Sequence, residues 1–199
     1  FETVTNHSSL TSAQFLGQFL NCYLIFENNR EMIIVDQHAF HERILFEEIS
    51  LAHKKQKLEK QILIHPIIVS HAEFQTDILA DQLDTLISLG FECTLKNNDL
   101  QIETFPGFIE KKYIEKTLHE VLSCLVAHKN VKFDSLYHTV FASMACHSAV
   151  RSGDPMNEEL VRRLLVRSEQ VDFFAHCPHG RPVIRKFSER DVSLWFERI

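Results

Sequence analysis

Between Val35 and Glu48 the chain reads VDQHAFHERILFEE, and Asp36, His38 and Glu42 within it are all side chains able to hold a divalent cation. On a helix, His38 and Glu42 share one face because they are four residues apart, while Asp36 stands just ahead, at the end of a strand. Such a set can close on one ion; a His/Glu pair at this spacing can equally be an ordinary surface pair. Two more stretches offer the thiolate and imidazole that zinc prefers. Cys146 lies in the small-residue segment ACHSA, where a neighbouring backbone can approach closely, with a plain core thiol as the alternative. Cys177 and His179 lie in CPHGRP, a Pro/Gly loop able to turn both toward one point. His41, His147 and His176 could be extra ligands, proton carriers or surface residues, and surface residues or supports behind the ligands is the favoured reading. Arg151 and Arg181 could contact a phosphate or hold a carboxylate in place.

The elements that must position these residues follow from periodicity. FLGQFLNCYLIFE and EMIIVD are β-prone runs separated by the polar break NNR, which suggests a hairpin ending at Asp36. Phe40, Ile44, Leu45 and Ile49 then recur near a helical period, and the helix fades into the charged AHKKQKLEK. QILIHPIIVS reads as extended, with Pro66 restricting it to an edge or bend. Phe74 to Ile87 reads as an amphipathic helix stopped by Gly90, FECTLKNNDLQIETF as two strands about a turn, and Ile114 to Leu125 as a second helix. FDSLYHTVFASMACHSAVR reads as helical. Gly153, Asp154 and Pro155 suggest a stop, an N-cap and a first helical residue. Ser188 and Asp191 suggest a capping box on a terminal helix.

The expected fold class is therefore α+β: a mixed-sheet subdomain from residues 14–61 and 130–199 carries the site, and residues 62–129 form an inserted β-α-β-β-α subdomain. Residues 1–13, polar and opening on Phe rather than Met, read as the remnant of a linker in a longer chain.

With 199 residues, 45% of them hydrophobic, the chain can bury a core. No apolar run approaches the roughly 20 residues that span a bilayer, so a soluble protein without a membrane partner is expected. The net charge of −6 lacks the basic footprint of a domain that holds nucleic acid by phosphate contacts alone, so any DNA contact must be local or assisted. Five scattered cysteines argue for a reducing compartment rather than a disulfide framework, and Cys22, Cys93 and Cys124 read as core.

DQHAFHERILFE resembles the D-Q-H-A-x-x-E-x-x-x-x-E signature of the C-terminal endonuclease domain of MutL mismatch-repair proteins. ACHSAVRSGD, CPHGRP and the terminal FERI, with Phe196 and Arg198, resemble that family's remaining motifs in the expected order. The likeness runs from about Gln14 to Ile199, the insert matching in layout more than in residues. QILIHP, with Gln61, Ile64 and Pro66, also fits the segment by which bacterial members bind the replication sliding clamp. The resemblance implies a latent, metal-dependent endonuclease that nicks duplex DNA during mismatch repair, acting as the C-terminal half of a bacterial, cytoplasmic homodimer. It further implies that Cys146, Cys177 and His179 join His38 and Glu42 around Zn²⁺, with Asp36 supporting a catalytic Mn²⁺ or Mg²⁺. Glu47 completes the signature but points off the ligand face, as a structural or supporting residue. ATP would enter only through a separate N-terminal domain, and a mismatch-recognition protein only through the full-length protein; binding of this piece to duplex DNA would be weak.

Two other readings compete. One is a non-catalytic, zinc-stabilised module for dimerisation and clamp docking, which on sequence grounds does not require Asp36. The other is a metal-dependent hydrolase acting on a different phosphoester.

Overall fold

The computed structural model describes residues 8–70, 79–96, 99–127, 133–169, 171 and 182–198. In chain order the elements are α1 (Ser8–Thr11), β1 (Gln14–Phe19), β2 (Tyr23–Asn28), β3 (Glu31–Asp36), α2 (Gln37–Lys54), β4 (Lys60–Ser70), α3 (Leu83–Ser88), β5 (Cys93–Lys96), β6 (Asp99–Pro106), α4 (Ile114–Ala127), α5 (Phe133–Ser148), α6 (Glu158–Ser168), β7 (Ile184–Ser188) and α7 (Glu189–Trp195). The fold is α+β, and it divides into two units: residues 1–47 with 149–199, and residues 48–148. No helix among the described residues is long and apolar enough to cross a membrane.

The first unit is built on the sheet β1-β2-β3-β7, antiparallel at every pairing rather than mixed. Alternation along the strands places Leu24, Phe26, Ile33 and Val35 on one face, all of them fully buried. That face packs with Ala39, Phe40 and Ile44 from the start of α2 and with Val161 and Leu164 of α6. Each such side chain contributes about 1.5–3 kcal/mol when removed from water, which is what makes the register of β2 and β3 costly to slip.

Two tight turns join these strands. Asn29 and Arg30, at φ 48° and 64°, make the two-residue β2–β3 hairpin expected of the NNR break. The β1–β2 turn is a departure, because FLGQFLNCYLIFE is not one run. Leu20 and Asn21 take φ 53° and 48°, and Cys22 N–H closes the turn on the Phe19 carbonyl at 3.0 Å. Asn21 tolerates the left-handed region; Leu20 does not favour it and carried no turn signal.

A second departure lies before α6. Asp154 is not its N-cap, because its carboxylate accepts the Arg151 N–H at 2.8 Å; the cap is Asn157, accepting from Leu160 N–H at 2.9 Å. The capping box of Ser188 and Asp191 on α7 is formed in full.

The second unit holds the sheet β4-β6-β5, also antiparallel. Helix α4 buries Ile114, Leu118, Val121, Leu122 and Leu125 along one stripe. Helix α3 ends at Ser88 with Leu89 as its C-cap, and Gly90 follows at φ 92° with Pro106 so close that a Cβ would meet its ring at 3.2 Å. The order β4-α3-β5-β6-α4 is that of the expected insert. Of the helix expected over Phe74 to Ile87, residues 74–78 lie outside the described residues.

Candidate metal centre

Helix α2 begins where β3 ends, and Asp36 sets the junction: its Oδ1 accepts the Ala39 N–H at 2.9 Å, an N-cap bond on the first turn. The next residue, Gln37, is fully buried. Its Nε2 donates to the carbonyls of Asn21 and Arg151, both at 2.8 Å, and lies 3.2 Å from that of Asp154. Gln18 donates to Gln37 Oε1 and to the Asp154 carbonyl, and accepts the Met156 N–H at 3.0 Å. These amides tie residues 151–156 to the first turn of α2 across more than a hundred residues of chain. Gln18 did not stand out in the sequence, and Gln37 only as a letter of the D-Q-H-A signature, since a buried amide has no periodic or spacing pattern of its own.

The tethered segment delivers Val150 to two histidines. His38 Nδ1 lies 2.8 Å from the Val150 carbonyl, which only accepts, so Nδ1 carries a proton and Nε2 is the ring nitrogen left to meet an ion. Nε2 faces Glu42 at 3.6 Å, the spacing of one helical turn, and Glu42 is only 2% exposed. A buried carboxylate and an imidazole nitrogen thus converge on one point, where a proton or a cation could be shared between them. A backbone carbonyl behind the distal ring nitrogen is how metal-binding histidines are usually oriented.

His41, one turn along, accepts the Val150 N–H at Nδ1 at 3.0 Å, while Arg167 Nη1 stands 3.3 Å from its Nε2. Burial, then the Arg167 charge and the neighbouring His38, hold the His41 imidazole down to about 4, so it is neutral at physiological pH.

The remaining candidates are distributed as follows. Glu47 pairs with Arg43 at 2.6 Å along α2, and Arg151 is exposed. Cys146 is half-buried on α5, in the second unit. His147 beside it is not a surface residue: it pairs through Nε2 with Glu120 of α4, which also accepts from Ser143 Oγ at 3.0 Å. Cys177, His179, Arg181 and His176 lie outside the described residues. Gln61, Ile64 and Pro66 are all exposed on β4, Ile64 to 92%. Phe196 is exposed beneath the Arg198 guanidinium, 6.0 Å from its ring centroid. Of the other cysteines, Cys93 is buried, its thiol pushed up to about 11 by burial and then Glu103, whereas Cys22 and Cys124 are half-buried.

A discontinuous α+β unit whose helix opens on a capped Asp36 and a buried His38/Glu42 pair, with a second α+β unit inserted in the chain, is the class these features define. The profile of the MutL C terminal dimerisation domain matches residues 16–156, and the chain belongs to that family. It is similar to the DNA mismatch repair protein MutL of Clostridium botulinum (strain Kyoto / Type A2), at 31% identity over 94% of this chain and 28% of that protein. It is also similar to the proteins of that name from Trichlorobacter lovleyi, at 31% over 92% of this chain and 31% of that protein, and Xylella fastidiosa, at 34% over 92% and 30%. The chain thus spans less than a third of the length of these relatives.

Proposed function

We propose that this chain is the C-terminal homodimerising domain of a bacterial mismatch-repair protein and carries a latent, metal-dependent endonuclease that nicks duplex DNA. The observation that carries the reading is the buried His38/Glu42 pair, whose carboxylate and ring nitrogen converge at 3.6 Å behind a proton-donating His38 Nδ1. The donor chemistry fits a zinc ion held by His38 and Glu42 with Cys146, Cys177 and His179. Asp36, at the mouth of the same helix, supports a second ion, Mn²⁺ or Mg²⁺. A divalent ion in such a site supplies a deprotonated water and relief of charge on the phosphoryl oxygens. The chain's own work is to orient His38 through the Val150 carbonyl so that Nε2 faces Glu42, to keep Glu42 out of water, and to fix Asp36 through its cap.

The exposed Gln61, Ile64 and Pro66 support docking on the replication sliding clamp. Ile62 pairs with Thr104 and Ile67 with Ile102, so Leu63 to Pro66 stand opposite Glu103 alone, and this stretch is bulged out of the ladder. ATP and the mismatch-recognition protein belong to the remainder of a full-length protein acting in the cytoplasm.

One observation favours the non-catalytic module instead. Asp36 is explained by helix capping alone, so a carboxylate at this position does not by itself argue for chemistry. The deciding experiment is a supercoiled-plasmid nicking assay in Mn²⁺ with Asp36→Asn. Asparagine caps as well as aspartate, so the helix start survives and only the charge is lost. Nicking is expected to fall about 100-fold, the scale of removing one preorganised electrostatic group, with zinc content and dimerisation unchanged. Equal nicking by the variant would leave the zinc-stabilised module as the better account.

A further inference from the structure

We propose that His41 is a positioning residue for the metal centre: by accepting the Val150 N–H it fixes the backbone whose carbonyl holds His38 in the tautomer that presents Nε2 to a cation. The inference rests on the metal reading of His38 and Glu42, and it concerns residues of the first unit alone.

The geometry leaves little choice of roles. His38 and His41 are three residues apart on α2, and their rings grip the two polar groups of one residue. The Val150 carbonyl can only accept, so His38 Nδ1 donates at 2.8 Å; the Val150 N–H can only donate, so His41 Nδ1 accepts at 3.0 Å. An imidazole free in water favours the opposite tautomer, with the proton on Nε2, and in that form His38 would turn a proton rather than a lone pair toward Glu42. A fixed carbonyl is therefore needed, and a carbonyl following ACHSA in an irregular segment is fixed only as well as the rest of its residue. The N–H end is held by His41, and the residue after it by Gln37 through the Arg151 carbonyl at 2.8 Å. Arg167 Nη1, 3.3 Å from His41 Nε2, is a second donor facing the ring and competes with the Val150 N–H for its one lone pair; the shorter contact, at 3.0 Å, assigns that lone pair to Nδ1.

The test uses the 199-residue chain without metal, with ring tautomers read from long-range proton–nitrogen-15 correlations, followed by zinc titration against a chelator of known affinity. In the unmodified chain His38 is expected as the Nδ1–H form and His41 as the Nε2–H form. His41→Leu is expected to shift His38 toward Nε2–H and to weaken zinc binding about 10- to 100-fold, the usual cost of losing a group behind a ligand. His41→Asn, whose Oδ1 can accept where Nδ1 did, is expected to restore both. A purely structural role would move neither the tautomer nor the rescue. His38 found as Nε2–H in the unmodified chain, an unchanged His38 tautomer in His41→Leu, or an asparagine variant as impaired as the leucine one would each overturn the proposal. If His41→Leu fails to fold, the unmodified tautomers and the asparagine variant still decide. An unmodified chain with the expected tautomers that binds no zinc would overturn the metal reading and leave the positioning intact.

Discussion

Glu42 is the residue on which the metal reading turns most simply. Its carboxylate is only 2% exposed and faces His38 Nε2 at 3.6 Å, so it is the buried charge that an ion at this point would meet. Glu42→Gln removes the charge with little change of shape. Without metal, the variant is expected to melt no lower than the unmodified chain. The effect of zinc should differ sharply: at a hundredfold excess over Kd, a bound ion stabilises by about 2.7 kcal/mol, roughly 5–10 °C for a chain of this size. That upward shift should appear in the unmodified chain and vanish in Glu42→Gln. A calorimetric scan showing equal zinc shifts in both would remove Glu42 from the site. At this scale the sequence was legible only where spacing is local. His38 and Glu42 announce themselves by helical period, and so does the Arg43/Glu47 pair. Val150 and His41 do not, because the partner of each ring nitrogen lies 112 and 109 residues away, and nothing short of the fold selects it.

Elements were legible in proportion to how far a local rule governs them. The β2–β3 hairpin, the stripe of α4 and the capping box of α7 follow from turn chemistry, period and cap residues, and all three are present. The β1–β2 turn escaped because Leu20 takes a left-handed backbone that leucine rarely signals. The cap of α6 escaped because the Arg151 N–H captures the Asp154 carboxylate, and the helix is capped three residues further on by Asn157. Strand β4 shows the same competition in a useful form: Pro66 was read as an edge or bend, and Leu63 to Pro66 are displaced from the ladder to β6. Within the unpaired stretch Ile64 is 92% exposed, and on the docking reading it is the side chain that would enter a partner's pocket. Gln61→Ala with Ile64→Ala should abolish binding to the sliding clamp in surface plasmon resonance. The melting temperature should stay nearly constant, since exposed substitutions usually change stability by less than about 0.5 kcal/mol. Unchanged clamp affinity would rule the segment out; a large loss of stability would show that the exposure misrepresents its packing.

At the scale of the molecule, the first unit has two faces to its sheet, and among the described residues the buried core lies against one of them. Opposite Leu24, Phe26, Ile33 and Val35, the other face carries Tyr23, Ile25, Met32, Ile34 and Phe187. Phe187 is packed edge-on by Trp195 at 5.3 Å, and Phe19, Leu20, Leu194, Trp195 and Phe196 are all 47% exposed or more. An apolar sheet face and helix end of this kind are what a dimerisation domain offers to a second copy, and a stable pair needs about 800 Å² from each partner. A net charge of −6 per chain then works against DNA binding, so two joined copies would depend on partners to reach a duplex. Leu20 gives the cleanest test of the face. It is 70% exposed at φ 53°, and aspartate tolerates that backbone better than leucine does, so Leu20→Asp should leave the folded monomer at least as stable. In an interface, the same carboxylate would be buried without a partner, at a cost of about 3 kcal/mol, or more than a hundredfold in dimer affinity. Sedimentation equilibrium should find the unmodified chain dimeric at micromolar concentration and Leu20→Asp monomeric, with equal melting of secondary structure at matched subunit occupancy. A variant as dimeric as its parent would place the contact elsewhere on the unit, and a parent that stays monomeric at high concentration would remove the homodimer itself.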